Sequence, residues 1–339
     1  MKALYLVEPG KTEIRDIDPP RPTKAEVLLR VETVGFCGGD LNGFRGTFAL
    51  QKYPVVLGHE VGAIIKEIGS NVPDQFHPGM KVTVSPYKNC SKCFSCKHDK
   101  PNACQDNQTM GVRRPGAMTR YITVHWQDLY SSEKLSTTEL ALVEPLTVGF
   151  HATNRGQIKT SDTVTVLGCG IVGMGAIASA SARGARVIAV DIDYKKLELA
   201  EKAGASYGIN STKENIHEML SSLTDCNGPD VIIEAVGHPI TFRAAVDEVA
   251  FTGRIVYIGY AKMPVEYDTK VIVQKELSIF GSRNCLGDFP AVIKYLEERN
   301  FPTDEVITKT VPLEEAGQAL SSWSDHPEQF TKIMVDLRK

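Results

Sequence analysis

Strand, glycine turn and helix follow one another without a spare residue at Gly168-Cys169-Gly170-Ile171-Val172-Gly173: the apolar run Val164 to Leu167 precedes it, and a small-residue segment through Ala176, Ala178, Ala180 and Ala182 follows. A G-x-G-x-x-G turn in this setting marks a βαβ unit. Its first glycine permits the tight turn, its second lets a pyrophosphate approach the backbone, and its third lets the helix pack close to the strand. The first amides of the helix then face the anion. The next strand ends at Asp191, eighteen residues past Gly173, with Ile192 rather than an arginine behind it. A carboxylate there accepts ribose hydroxyls and repels a 2′-phosphate, so NAD is expected over NADP, with Lys196 in reach of the ribose. A glycine-rich turn in another kind of α/β protein is the alternative.

From about residue 149 apolar runs alternate with helical stretches. Thr163 to Leu167, Arg186 to Val190, Asp230 to Val236 and Arg254 to Ile258 suit buried parallel strands, and Ser206 to Asn210 and Glu276 to Phe280 can add two more. Tyr194 to Ala203, ended by Gly204, reads as a helix between them. The expected fold class is therefore α/β, with a doubly wound Rossmann sheet. The first third differs: Val27 to Val31, Val61 to Ile65 and Lys81 to Val84 are short β pieces broken by Gly and Pro, which suggests a compact β-barrel-like domain. The tail from about Phe289 holds a helix at Val292 to Glu298 and a strand at Phe330 to Val335 that is expected to return to the first domain. No internal repeat or low-complexity segment interrupts this two-domain plan.

Charge narrows the partners. With 38 Lys plus Arg against 41 Asp plus Glu, and no long block of one sign, the chain lacks the basic surface that nucleic acid or an anionic membrane requires. No run approaches the length of a spanning helix, and an acidic residue and a Pro-Gly turn interrupt the first apolar stretch, so a cytoplasmic location is expected. A small-molecule substrate fits better.

Four of the eight cysteines crowd into Cys90-x2-Cys93-x2-Cys96-x7-Cys104, flanked by Lys88, Lys92, Lys97 and Lys100. Four thiolates can close a tetrahedral zinc site, which is structural because no position is left for substrate. An iron–sulfur cluster is the rival, and a zinc ribbon for nucleic acid uses similar spacing. Elsewhere Cys37, His59, Glu60 and Glu144 are each unremarkable, and spacing alone does not make them a second metal site.

The order of motifs adds to this. Gly35-Phe36-Cys37-Gly38-Gly39-Asp40, Gly58-His59-Glu60-Val61-Gly62, the four-cysteine lobe, Glu144-Pro145-Leu146 and the glycine turn together resemble the zinc-dependent medium-chain alcohol dehydrogenase family, across essentially the whole chain. The resemblance implies a GroES-like catalytic domain over 1–148, completed by 285–339, and a Rossmann NAD-binding domain over 149–284, with the active site in the cleft. It implies Cys37 and His59 as catalytic-zinc ligands, Glu144 as the carboxylate found in polyol and threonine branches, and Glu60 as a neighbouring acid that ligates directly or through water. Asp40 would orient the ligand histidine. Further cofactor contacts are expected at Ile171, Val172, Ile258, Gly259, Ser282 and Arg283. A homo-oligomer, dimer or tetramer, is implied as well.

The pattern breaks at three positions. The family usually carries Ser or Thr two residues after the ligand cysteine and His five residues after it, where this chain has Gly39 and Asn42; sorbitol-type enzymes often add a Tyr where this chain has Gly43 and then Phe44. Phe280-Gly281-Ser282-Arg283-Asn284 resembles the corresponding segment of L-galactonate and L-gulonate dehydrogenases. Arg283 is thus a candidate for a substrate carboxylate or for the cofactor ribose, with Asn284 and Arg113 as further substrate candidates. The expected activity is NAD-dependent, zinc-containing interconversion of a secondary alcohol and a ketone on a sugar acid or polyol. A threonine-type or simple alcohol dehydrogenase is the near alternative, and a non-catalytic NAD-binding protein the distant one.

Overall fold

The computed structural model describes residues 1–299 and 301–338. The chain forms two compact units, the first from Met1–Glu144, Phe289–Arg299 and the segment from Thr303 onward, the second from Pro145–Asp288 with Phe301 and Pro302. The division falls inside the helix Thr137–Arg155, beside its internal Pro145, and so a few residues before the expected 148/149 boundary. A continuous helix carries no composition shift that would mark such a point.

In the second unit a six-stranded sheet runs Tyr207–Asn210, Arg186–Asp191, Thr163–Leu167, Val231–Glu234, Arg254–Tyr257, Ser278–Gly281, every pair parallel. Read by chain order this is 3-2-1-4-5-6, the doubly wound arrangement. Ile188, Ile209, Ile232 and Ile255 stack from neighbouring strands into its core, which is why those runs are nearly continuous in β-branched residues. The order reverses between Thr163–Leu167 and Val231–Glu234, so the glycine turn at 168–173 opens at the switch point of the sheet.

In the first unit a seven-stranded sheet has the order Ile307–Pro312, Lys332–Asp336, Glu26–Gly35, Glu60–Ile68, Lys81–Val84, Leu129–Ser131, with Tyr121–His125 also pairing with Glu26–Gly35. A three-stranded sheet of Lys11–Asp16, Lys2–Glu8 and Val55–Val56 completes it; the sequence reading did not single out its hairpin. The late strand Lys332–Asp336 does return to this unit, antiparallel to Glu26–Gly35 with Met334 opposite Gly35. On its other side Gly35 pairs with Glu60. This register sets up the site described next. Among the described residues no helix is long and apolar enough to cross a membrane.

Candidate metal centres and cofactor turn

The strand Glu26–Gly35 delivers Cys37 two residues past its end, where it becomes the N-cap of the helix Gly38–Phe44. Its sulfur accepts the Gly39 amide at 3.3 Å, and its own amide donates to Asp40 Oδ2 at 2.9 Å, a reciprocal cap that fixes both side chains. Because Gly35 pairs with Glu60, the start of the strand Glu60–Ile68 lies beside Cys37 and brings His59 with it. Gly58 makes this turn at φ +95°, and a side chain there would strike Val34 and Met118. One donor atom each from Cys37, His59 and Glu60 then lies within 4.8 Å of the others, with His59 and Glu60 buried.

Some polar atoms of this group are left over from these contacts. Asp40 Oδ1, His59 Nδ1 and Glu60 Oε1 are buried without a hydrogen-bond partner, and Asp40 Oδ1 sits 3.9 Å from His59 Nδ1. Unpartnered buried polar atoms are costly unless something else satisfies them. A soft half-buried thiolate beside a buried imidazole and a buried carboxylate forms the donor set of an open zinc site, so the residues fit that metal. Charge agrees. Burial opposes protonation of His59, yet Asp40 and Cys37 outweigh it and hold the imidazole well above its usual range. Burial pushes the Asp40 carboxyl up, with His59 opposing. Glu144 is pushed up by burial and by Glu60, with His59 and Tyr87 opposing, and the Tyr87 hydroxyl donates to it. A bound cation reverses this balance by favouring every deprotonated donor.

Glu144 lies in the helix Thr137–Arg155 and stands outside the three-donor cluster, though close enough to His59 and Glu60 to feel their charge. Two residues that sequence reasoning missed complete the surroundings. Tyr87 holds Glu144, and Lys332, 1% exposed, makes an ion pair with Glu60 and donates to Phe36 O at 3.0 Å. A lysine directly before the apolar run Ile333 to Val335 was the one available signal. Gly39 leaves room: a Cβ there would make only ordinary contacts, 3.7 Å from Cys37 Sγ and 3.9 Å from Phe48.

The four-cysteine lobe is assembled locally. Cys93 caps the short helix Phe94–Lys97, Cys93 Sγ lies 3.4 Å from Cys96 Sγ and 3.9 Å from Cys104 Sγ, and one sulfur of each of the four is within 4.8 Å of the rest. All four are free thiols. A tetrahedral ZnS4 site with normal bond lengths has sulfur–sulfur edges of about 3.8 Å, so this lobe fits zinc as well. The Ser95 hydroxyl and the amides of Gln105 and Cys96 bring the Cys93 thiol down to about 5, as suits a thiolate ligand, whereas desolvation and the neighbouring sulfurs raise Cys96 to about 12.

In the second unit the three glycines have distinct geometry. Gly168 adopts φ +95°; a Cβ on Gly170 would meet nothing within 4 Å; a Cβ on Gly173 would lie 1.8 Å from Gly168 O. Gly170 caps the helix Ile171–Ala182 with no side chain of its own, leaving the first amides, at Ile171, Val172 and Gly173, for an anion. Asp191 is held by three amides: Cys169 at 2.7 Å on Oδ2, and Ile192 at 2.8 Å and Asp193 at 3.1 Å on Oδ1. A carboxylate offers about four acceptor sites, so one stays open on Oδ2. Lys196 lies in the first turn of the helix Tyr194–Lys202. Ile258 and Gly259 follow the strand Arg254–Tyr257, and Ser282, Arg283 and Asn284 follow Ser278–Gly281, at the carboxyl edge of the sheet. Ser282 Oγ is buried without a partner. Arg113 belongs to the first unit, where it is half-buried and 3.5 Å from the exposed Asp106.

Residues 23–134 match the alcohol dehydrogenase GroES-like domain, and residues 172–298 match the zinc-binding dehydrogenase domain. The chain belongs to the zinc-dependent medium-chain alcohol dehydrogenase family. An uncharacterized zinc-type alcohol dehydrogenase-like protein of Haemophilus influenzae is 32% identical, covering 98% of both chains. The sorbitol dehydrogenase of Bacillus subtilis is 31% identical over 99% of this chain and 97% of that one. Among solved structures, an Escherichia coli CFT073 alcohol dehydrogenase, rspB, complexed with NADH, superposes with a TM-score of 0.90 at 29% identity, covering 99% of each chain. This medium-chain dehydrogenase is thus matched along its whole length, as the order of its motifs led one to expect.

Proposed function

We propose that this dehydrogenase interconverts a secondary alcohol and a ketone on a polyhydroxylated small molecule, a polyol or a sugar acid, with NAD as the hydride carrier. The observation that carries the reading is the cluster of half-buried Cys37 with buried His59 and Glu60, and its unpartnered polar atoms. Likeness to a sorbitol dehydrogenase and to an NADH complex supports the substrate class and the cofactor. Zinc, when bound, supplies a Lewis acid that lowers the pKa of the substrate hydroxyl, and NAD, when bound, accepts the hydride.

The chain's residues then have separable tasks. Cys37 and His59, with a carboxylate from Glu60 or Glu144, hold the metal. Asp40 faces His59 Nδ1 and so reserves Nε2 for ligation. Cys90, Cys93, Cys96 and Cys104 hold a structural zinc. Gly168, Gly170 and Gly173 and the amides at Ile171 and Val172 take the pyrophosphate, and the open acceptor site of Asp191, with Lys196 nearby, takes the ribose. Ile258, Gly259, Ser282 and Arg283 contact the cofactor from the carboxyl edge of the sheet, where open α/β sheets bind ligands. With no hydroxyl at Gly39 and no imidazole at Asn42, the substrate proton passes to a carboxylate of Glu60 or Glu144. Of the substrate candidates, Arg283 and Asn284 are favoured over Arg113, which already faces Asp106. We place the protein in the cytoplasm as a dimer or tetramer, its catalytic domain spanning 1–148 and 285–339 and its Rossmann domain 149–284.

The test is NADH formation by zinc-loaded protein on matched aldonates, polyols, threonine and simple alcohols. Turnover confined to aldonates and polyols is expected. Silence across the panel with NAD binding intact would sink the reading in favour of a non-catalytic NAD-binding protein, the alternative that Gly39 and Asn42 raise.

A further inference from the structure

We propose that Lys332 is a positioning residue of the metal centre: it competes with the metal for Glu60, so that this carboxylate serves as a displaceable ligand and a position stays open for substrate. The proposal rests on the reading of Cys37, His59 and Glu60 as a zinc site. Three observations carry it.

First, the ion pair is fully buried, with Lys332 1% and Glu60 0% exposed. A buried ammonium without its partner is strongly destabilising, so the two side chains hold each other firmly. Second, the register builds the contact. Glu60 and Met334 both lie opposite Gly35, which places Glu60, Met334 and Lys332 on one face of the sheet. A side chain on Gly35 would fill the crossing, since a Cβ there would lie 2.0 Å from Glu60 Oε2 and 2.8 Å from Lys332 Cε. Third, the Lys332 ammonium also donates to Phe36 O, one residue before Cys37, so one cation is tied to both segments that bear the proposed ligands.

The consequence follows from charge. Lys332 engages Glu60 Oε2 and leaves Oε1 without a partner. An adjacent cation weakens a carboxylate as a metal donor, so Glu60 yields its place readily. Remove the cation, and a buried anion with no other partner turns to the metal with both oxygens. Zinc is then held harder, and substrate has to displace a stronger ligand.

The experiment measures release of zinc from the intact two-zinc protein to a chromogenic chelator, together with the visible spectrum of a Co²⁺-substituted catalytic site. Lys332→Met should slow release of the catalytic zinc by about tenfold, the scale on which partners of metal ligands act, alter the cobalt bands, and lower kcat. Lys332→Arg should restore the wild-type release rate. Glu60→Gln in the Lys332→Met background should abolish the slowing, which a merely structural role for Lys332 would not predict. Catalytic zinc that leaves Lys332→Met at or above the wild-type rate would overturn the proposal. Should Lys332→Met fail to fold, Glu60→Gln alone decides: release within about threefold of wild type upholds a displaceable Glu60, and release faster by about tenfold or more makes it a firm ligand and overturns the proposal. Wild-type protein that binds zinc only in the four-cysteine lobe would overturn the metal-centre reading and this proposal with it, whereas a catalytic zinc unmoved by Lys332→Met overturns this proposal alone.

Discussion

The four-cysteine lobe and the Cys37 cluster are both metal-competent, and they are built by opposite means. In the lobe, four donors of one chemical type come from a single short segment, three of them half-buried, on a helix of one turn and its flanking loops. Around Cys37, donors of three types come from separate elements and are held by strand register, a helix cap and an ion pair. The lobe satisfies a metal with its own residues and offers nothing further. The cluster leaves polar atoms unpartnered, which gives it capacity for chemistry. A closed site stabilises; an open one acts.

Breaking either side should separate these roles. Cys37→Ser is expected to cut turnover by about a thousandfold or more, since the Lewis acid supplies several kcal/mol of transition-state stabilisation. NADH fluorescence titration should meanwhile give an unchanged Kd; near-normal rates in metal-analysed protein would refute the assignment. Cys93→Ser should instead remove the lobe's zinc and lower Tm by about 5–10 °C, with kcat per catalytic zinc retained, as differential scanning fluorimetry and metal analysis would show. Loss of turnover without loss of stability would erase the distinction between the two centres.

Smaller changes sharpen the contrast. Asp191→Asn keeps the side-chain shape but removes the charge that excludes a 2′-phosphate. It should raise KM for NAD about tenfold and narrow the preference over NADP, with kcat little changed. Steady-state kinetics with both cofactors would test this, and an undiminished preference would count against it. Gly39→Ser has space for its side chain and should raise kcat only about threefold, far short of the full range of acid–base catalysis, if carboxylates already accept the proton. A fall in kcat would show that the glycine is needed for something else.

Legibility in the sequence follows the same division. The lobe and the glycine turn were readable because every part lies within a short window and each residue has a local reason to be there. The parallel strands were readable because burial on both faces leaves continuous apolar runs. Cys37, His59 and Glu60 were named only through resemblance, since what joins them is the pairing of Gly35 with Glu60, and register is not written in spacing. Tyr87 and Lys332 were missed for the same reason. Each acts on a residue far away in the chain, Tyr87 on Glu144 and Lys332 on Glu60. The helix Thr137–Arg155 hid behind its own Pro145, a residue that ordinarily ends one.

The late strand Lys332–Asp336 has a consequence for the order of events at the ribosome. All four lobe cysteines have been translated by residue 104, whereas Lys332 follows roughly two hundred residues later, about 10–45 s at usual elongation rates. During that interval Glu60 has no cation to restrain it, and the edge of Glu26–Gly35 that Lys332–Asp336 will cover lies bare. The four-cysteine lobe can therefore assemble from residues made early, whereas the contacts of Lys332 with Glu60 and with Phe36 O form only once the last strand docks.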